Sequence, residues 1–440
     1  MPGAAAGSSG RYDWVETALL MPSKTLLILS QVYVPDPASV GQHMHDAAAE
    51  MARRGYRVRV LTSARGYEDP TRKYAPRERL DGVQIRRLPL SSFGKASVAV
   101  RLVGGSIFLV QAMVHGLFTS RLAGILVSTS PPMCSVAALF IRMIRRVPVK
   151  YWAMDINPDQ MILMGRIRKR SIYARAFELL NRLILRGADN VIALDRYMAD
   201  RLYRKCDVRR KTSIIAPWPH VIENDPPVEH EDNPFRKQHR LNGKFVIMYS
   251  GNISPAHPIT TIVDAALKLR DDPRLMFLFI GGGLGRREIQ SAIDKHAPPM
   301  IRLLPYQPLD GLRFSLSAAD VHLVSVGDKM VGVVHPCKVY GAMAVGRPIL
   351  LLGPEPCHVS DIVEAEQIGW RIPRGDVDGA VTVIRQIAGT DPDELQQMGR
   401  RARDVVSRRF SKACLCAMFG DVLEQNLRPD RTGQLPGPAV

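Results

Sequence analysis

Residues Phe245–Leu269 read FVIMYSGNISPAHPITTIVDAALKL, and this stretch decides the fold. Phe245–Ser250 is a short apolar run of strand length, and it stops at Gly251-Asn252. From Ile259 to Leu269 the apolar residues recur at helical spacing. A glycine at a strand end lets backbone approach a ligand closely, and the N-terminus of the following helix offers unpaired N–H groups to an anion. His257, between Ala256 and Pro258, either hydrogen-bonds phosphate or only caps the loop.

Two more turns of this kind lie downstream. Gly281-Gly282-Gly283 ends the run LMFLFI and precedes a helix at Arg286–Ile293. Arg286 stands where G-x-G-x-x-G needs its last glycine, so a nicotinamide site is not favoured; a tight turn requiring positive φ accounts for the cluster equally well. Residues His335–Pro348 read HPCKVYGAMAVGRP: Pro336 opens a helix and Gly346 closes it. Lys338 falls in the first turn of that helix, where a cation opposes the dipole, so the position calls for a compensating anion. Together the turns line one sheet edge with N–H groups, one or two histidines and a lysine. The expectation is a diphosphate site with no obvious set of metal ligands and no cofactor.

Strand-then-helix alternation extends in both directions. Upstream the strands are Thr25–Ser30, Tyr56–Leu61, Gly82–Leu88, Gly124–Thr129, Val147–Trp152, Asn190–Leu194 and Thr212–Ala216, with a helix at Gln42–Arg54. Around Phe245–Ser250 the second series is Leu275–Ile280, Ile301–Leu304, Val321–Val326 and Pro348–Leu352. Between the series lie Pro217, Pro219, Pro226, Pro227 and Pro234, with the acidic cluster Glu223, Asp225, Glu229, Glu231 and Asp232, which reads as a linker. The fold class is α/β, with two doubly wound parallel sheets of Rossmann type facing a cleft, where ligands bind at the carboxyl ends of the strands. The boundaries are a disordered extension at 1–20, an N-terminal domain at 21–218, a linker at 219–243, a C-terminal domain at 244–410, a helix at 411–427 packing back on the N-terminal domain, and a flexible tail at 428–440.

Composition agrees with a folded protein: 46% hydrophobic, 23% charged and 6% aromatic residues in 440 exclude wholesale disorder and a collagen-like chain. The six cysteines form no C-x-x-C pair, which favours a reducing, cytoplasmic setting. The formal net charge is +18, and all of it lies in the first half: residues 1–220 hold 34 basic and 16 acidic residues, the remainder 26 of each. Such a field attracts phosphate, as anionic lipid, nucleic acid or phosphorylated substrate. Val98–Phe118 is apolar but broken by Arg101, too short to be a convincing span, and reads as a helix on a bilayer surface or a buried core helix. The leader Met1–Leu20 carries Arg11, Asp13 and Glu16 and is no signal peptide.

The runs LLILSQVYVPDPASVGQHMHDAAAEMARRGYRVRVLT, YSGNISPAHP, FLFIGGG, LPYQP, LSAADVHLVSV and HPCKVYGAMAVGRPIL, in this order, resemble the retaining family-4 glycosyltransferases of the GT-B fold. The nearest branch is similar to the bacterial exopolysaccharide and O-antigen enzymes of the colanic-acid and fucosamine-transferase type. The resemblance runs from about Met21 to Leu427. It implies a nucleotide-sugar donor in the C-terminal half and a polyprenyl-diphosphate-linked or other membrane-associated acceptor reaching the basic N-terminal half. It also implies a metal-independent enzyme at the inner face of the membrane. By position, Gly41 and Gln42 approach the donor diphosphate from across the cleft. Gly251, Asn252 and His257 match the phosphate-facing Y-S-G-N turn, and Gly282 and Gly283 the second glycine turn. Tyr306 and Gln307 match the nucleobase segment. Cys337, Lys338 and Tyr340 match the P-S-K turn, and Asp155 the position facing the reacting sugar. Asp155, Lys338 and His257 are the implied catalytic set.

Departures are equally visible. Val333 and Gly341 stand where many members carry two glutamates eight positions apart, Pro255 replaces a common basic residue, and Cys337 replaces serine. Three other readings compete. A nucleotide-sugar 2-epimerase shares the architecture but needs a pair of acid/base carboxylates. An inactive scaffold of the same fold accommodates Val333 and Gly341. A nucleic-acid binder explains the charge alone, but basic runs such as Arg166–Arg170 lack interleaved aromatics.

Overall fold

The apolar runs that read as strands are buried on both faces, as parallel sheets covered by helices require. The computed structural model describes residues 24–427 except 37, 67–70, 90, 92–97, 130–133 and 221–227; the side chains of 98–102 are also outside the description. The expectations for 1–20, for 428–440 and for the middle of the linker therefore lie outside the described residues.

The first sheet is built from β1 (Thr25–Leu29), β2 (Arg57–Ser63), β3 (Arg77–Leu80), β4 (Val83–Leu88), β5 (Leu122–Ser128), β6 (Val149–Trp152), β7 (Asn190–Ala193) and β8 (Thr212–Ile214), in the order β3-β4-β2-β1-β5-β6-β7-β8. All neighbours are parallel except β3, which pairs antiparallel with β4 at the edge. The second contains β9 (Phe245–Ser250), β10 (Leu275–Ile280), β11 (Ile301–Leu304), β12 (Val321–Ser325), β13 (Ile349–Leu352) and β14 (Gly369–Ile372), in the order β11-β10-β9-β12-β13-β14. The two lobes have the expected α/β organisation, with parallel strands alternating with helices.

Three features differ from the sequence expectation. Strands β3 and β14 were not anticipated. The helix after β1 spans Ser39–Arg53 and begins three residues before the expected start at Gln42, so Gly41 lies within its first turn together with Gln42. Pro234–Gln238 is helical, and Phe235 packs with Val246, Met248 and Leu278, so this part of the expected linker belongs to the C-terminal lobe. Asn233 caps that helix, accepting from the Phe235 and Arg236 N–H groups.

The lobes share one apolar cluster. Trp152, Met198 and Trp218 of the first join Val333, Tyr340 and Phe410 of the second. The helix Lys412–Glu424 returns to the first lobe: Phe419 lies 4.2 Å from Trp152 ring to ring, and Arg54 Nη1 donates to Asp421 (2.8 Å) and Glu424 (2.7 Å). A strap at residues 328–336 closes the other side. Arg201 donates to the Val331 and Lys329 carbonyls, and Ile156 N–H to the Val333 carbonyl (2.9 Å).

The helix Val98–Leu117 does not stand free. Phe108 and Ala112 are buried, and Gly116 lies against Ile141 of the helix Cys134–Arg145. Its outer face is nonetheless apolar, with Val103, Val110, Val114 and Phe118 exposed. Met143 and Ile144 are exposed on the helix Cys134–Arg145, and Ile172, Tyr173, Leu179 and Leu183 on the helix Ile172–Gly187. No helix among the described residues is long and apolar enough to cross a membrane.

Candidate active site

Strand order makes the site. In the sequence of neighbours β11-β10-β9-β12 the carboxyl ends stand side by side, so the segments leaving them must meet. Gly251 follows β9, Gly281–Gly283 follow β10, Tyr306 follows β11, and the strap leading to Lys338 follows β12. The glycines show how closely they meet. A Cβ on Gly251 (φ 133°) would lie 2.7 Å from Lys338 Cε, and one on Gly282 would lie 2.8 Å from the Tyr306 ring. A Cβ on Gly281 (φ 138°) would overlap the Gly251 carbonyl, and one on Gly283 (φ 105°) the Asn252 side chain. Arg286, absent from the expected set, ties two strand ends together by donating to the Gly281 (2.9 Å) and Leu304 (3.0 Å) carbonyls.

Lys338 begins the helix Lys338–Ala344, two residues after Pro336. Its ammonium sits 4.9 Å from the Tyr249 ring centroid, and burial pushes its pKa down to about 8 despite the neighbouring Cys337. An ammonium short of water and without a carboxylate partner among the described residues is arranged to receive an anion.

His257 has a different role from the one expected. Burial, reinforced by the charge of Lys338, lowers its pKa to about 3, so the ring is neutral. Its Nδ1 lies 2.7 Å from the Ser325 carbonyl, which can only accept, so Nδ1 carries the hydrogen and Nε2 a lone pair. In this state the ring does not donate to phosphate; it accepts from a hydroxyl or N–H.

Asp155 comes from the end of β6 and forms a backbone bridge to Val334 of the strap. Burial raises its pKa to about 6. Cys337 is half-buried, its thiol pushed up to about 12 by burial, and its charge environment includes both Asp155 and Lys338. Tyr306 is 41% exposed at the crevice rim, and Gln307 donates to the Pro305 carbonyl (3.0 Å).

Two placements depart from expectation. Tyr340 is fully buried, its hydroxyl 2.8 Å from His335 Nε2 and 2.7 Å from His358 Nε2. Two residues on a helix are about 200° apart, so Tyr340 cannot share the crevice with Lys338. Gly41 is close to the Tyr33 backbone, at 3.0 Å from a built Cβ, which explains that glycine without a ligand. Gln42 is buried.

Among the described residues no group of three His, Cys, Asp or Glu could hold a metal ion. The two Asp-x-Asp sequences, Asp376–Asp378 and Asp391–Asp393, lie at helix starts, where Asp376 and Asp391 accept from the Gly379 and Asp393 N–H groups.

A family model described as a glycosyl transferase 4-like domain matches residues 39–218, and one described as glycosyl transferases group 1 matches residues 231–405. The chain belongs to the glycosyltransferases. This glycosyltransferase is similar to WbjE of Pseudomonas aeruginosa, itself named as a glycosyltransferase, at 29% identity over 263 residues. That match covers 59% of this chain and 63% of WbjE, less than two thirds of the relative's length. A longer match, 24% identical over 376 residues, covers 82% of this chain and 91% of WcaI of Escherichia coli (strain K12), named for colanic acid biosynthesis. Its fold is GT-B, like that of Anabaena HepE solved with UDP and glucose: TM-score 0.70 and 15% identity, over 91% of this chain and 99% of HepE.

Proposed function

We propose that this glycosyltransferase moves a hexosyl unit, with retention, from a nucleotide-diphosphate donor to a lipid-linked acceptor during surface polysaccharide synthesis. The observation that carries the reading is the convergence of Gly251, Gly281–Gly283 and Lys338 on one crevice. The Gly251 and Gly281 N–H groups donate to the Ile280 (2.8 Å) and Leu304 (3.0 Å) carbonyls, so these two glycines contribute room, and the Gly282 and Gly283 N–H groups with an underhydrated ammonium suit two phosphoryl groups without requiring a cation. HepE, which holds UDP and glucose, and WcaI, named for colanic acid, support the donor and pathway classes by analogy.

In this scheme the bond between the anomeric carbon and the diphosphate oxygen breaks. The acceptor oxygen bonds the same face and passes its proton to the departing phosphate. Lys338 stabilises charge growing on the leaving group, His257 Nε2 accepts from a donor hydroxyl, and ionised Asp155 orients hydroxyls of the acceptor or sugar. Gly251, Asn252, Gly282, Gly283 and Cys337 form the diphosphate cradle, and Tyr306 and Gln307 flank the base. Gly41 and Gln42 belong to the opposite wall of the cleft.

A thermal-shift panel of UDP, GDP, CDP, dTDP and their sugar conjugates tests the donor. One base is expected to stabilise the fold by about 2.7 kcal/mol at 100 times its Kd. No shift with any member at millimolar concentration overturns the reading.

The exposed apolar residues on the helices Val98–Leu117, Cys134–Arg145 and Ile172–Gly187, together with the basic first half, support attachment to the cytoplasmic face of a membrane. Co-sedimentation at physiological salt is expected to pellet the protein with anionic vesicles and not with an oligonucleotide. Leu179→Glu with Leu183→Glu should lower vesicle binding at least about tenfold, since each removes apolar burial and adds repulsion. Equal pelleting of this variant would remove the helix Ile172–Gly187 from the contact.

A further inference from the structure

Lys338 belongs to the C-terminal lobe, but its turn is gripped from the other lobe. Asp195 follows β7, and its Oδ1 accepts from Met198 N–H (2.7 Å), capping the helix Arg196–Lys205. The other carboxylate oxygen, Oδ2, lies 2.6 Å from Nδ1 of His335, three residues before Lys338. Both side chains are buried, Asp195 at 3% exposure and the imidazole at 0%.

The contact continues into a chain with a single consistent direction for a neutral His335. Nδ1–H donates to Asp195, so Nε2 accepts the Tyr340 hydroxyl hydrogen, and the Tyr340 oxygen accepts from His358 Nε2–H. Every one of these polar atoms is satisfied. Tyr340 is fully buried, and His358, which opens the helix His358–Ala365, packs its ring 4.6 Å from that of His335. Burial alone would raise the Asp195 carboxyl, but the hydrogen bonds from His335 and the Met198 N–H bring it below its ordinary value. The carboxylate is therefore ionised and committed to two partners, one on each lobe.

We propose that Asp195 and His335 are a positioning pair that fixes the Lys338 turn from the opposite lobe, so that the ammonium occupies its site only when the lobes are in register. The pair touches no reacting atom. It acts through the peptide His335-Pro336-Cys337-Lys338, and Pro336 stiffens that path by fixing its φ. A hydrogen bond between buried groups is costly to leave half-made, so lobe separation and displacement of the turn are coupled.

The test reads the lysine itself and needs no donor. Its functional meaning rests on the proposed role of Lys338, but failure of every nucleotide to bind and failure of the pair to hold the lysine are separate results. The groups facing Lys338 are the Tyr249 ring, the Cys337 thiol and neutral His257. Competitive lysine acetylation across pH, read by mass spectrometry on the full chain, gives the Lys338 titration midpoint, expected near 8. Lys150, buried in the first lobe on the Gln425 carbonyl and also near 8, is the internal control.

Asp195→Ser retains a helix-capping oxygen but is too short to reach His335. His335→Phe keeps a ring but loses the bond, and His335→Asn keeps a donor toward Asp195. In the first two the Lys338 midpoint is expected to rise by about one unit or more toward the ordinary lysine value of about 10.4, with Lys150 unmoved. His335→Asn should stay within about half a unit of the parent, which a general packing role would not produce. An unmoved Lys338 in Asp195→Ser, or Lys150 rising in parallel, overturns the proposal. If His335→Phe does not fold, Asp195→Ser decides alone.

Discussion

Replacing Lys338 with alanine is expected to lower kcat/KM by on the order of 10² or more, the scale of losing one preorganised donor to a developing oxyanion. The expectation rests on where the ammonium sits: above the Tyr249 ring, over a glycine whose missing side chain leaves room for its Cε, and with no carboxylate among the described residues to hold it. The loss should fall mainly on kcat, since charge on the leaving diphosphate grows toward the transition state. The pH profile adds a second signature. Asp155 ionises above about 6 and Lys338 loses its proton above about 8, so kcat/KM of the parent should rise through the first value and fall through the second. In Lys338→Ala the falling limb should vanish while the acid limb stays. A full-activity variant, or an unchanged alkaline limb, would take the lysine out of the mechanism.

Gly281→Ala should have the next largest effect, on stability and binding together. At φ 138° an L side chain is strained, and its Cβ would lie only 2.0 Å from the Gly251 carbonyl oxygen, so two of the converging turns must separate. About 2–4 kcal/mol of destabilisation is expected, from backbone strain plus the collision. Gly55→Ala isolates the strain: Gly55 also has positive φ (88°), but a Cβ there meets nothing within 4 Å. Its cost should be about 1 kcal/mol. Denaturant titrations of both variants, with nucleotide binding measured in parallel, check the contrast. Comparable losses in the two would mean that closeness of the turns does not matter.

Most of the fold was legible because the evidence for it is local. A buried parallel strand is an apolar run bounded by turn residues, and β1, β9, β10 and β13 are that without ambiguity. The glycine turns were legible for the same reason, since the strand, the breaker and the next helix are adjacent in sequence. Strand β3 (RERL) was not, because all four residues are exposed at an edge and carry no alternation. The Pro234–Gln238 helix was hidden by an acidic, proline-rich surround, although Phe235 and Arg236 are buried. Tyr340 was misassigned because a motif read as a string ignores helical phase. The Asp195–His335 contact spans 140 positions and has no local signature beyond an acidic residue in the N-cap position of a helix. His257 shows a further gap: sequence offered a phosphate donor, but burial and the Ser325 carbonyl set its protonation and its tautomer.

The helix Lys412–Glu424 has a consequence for how the chain is made. It is translated after the strands of both lobes, but it covers Trp152 and Trp218 of the first lobe and contributes the partners of Arg54, and Gln425 just after it accepts from Lys150. While the ribosome is still reading the second lobe, that aromatic surface has no cover, and Lys150 lacks its acceptor. The first lobe therefore completes its interior last, after the second has emerged. Expressing the halves as separate polypeptides would divide a single cooperative unit.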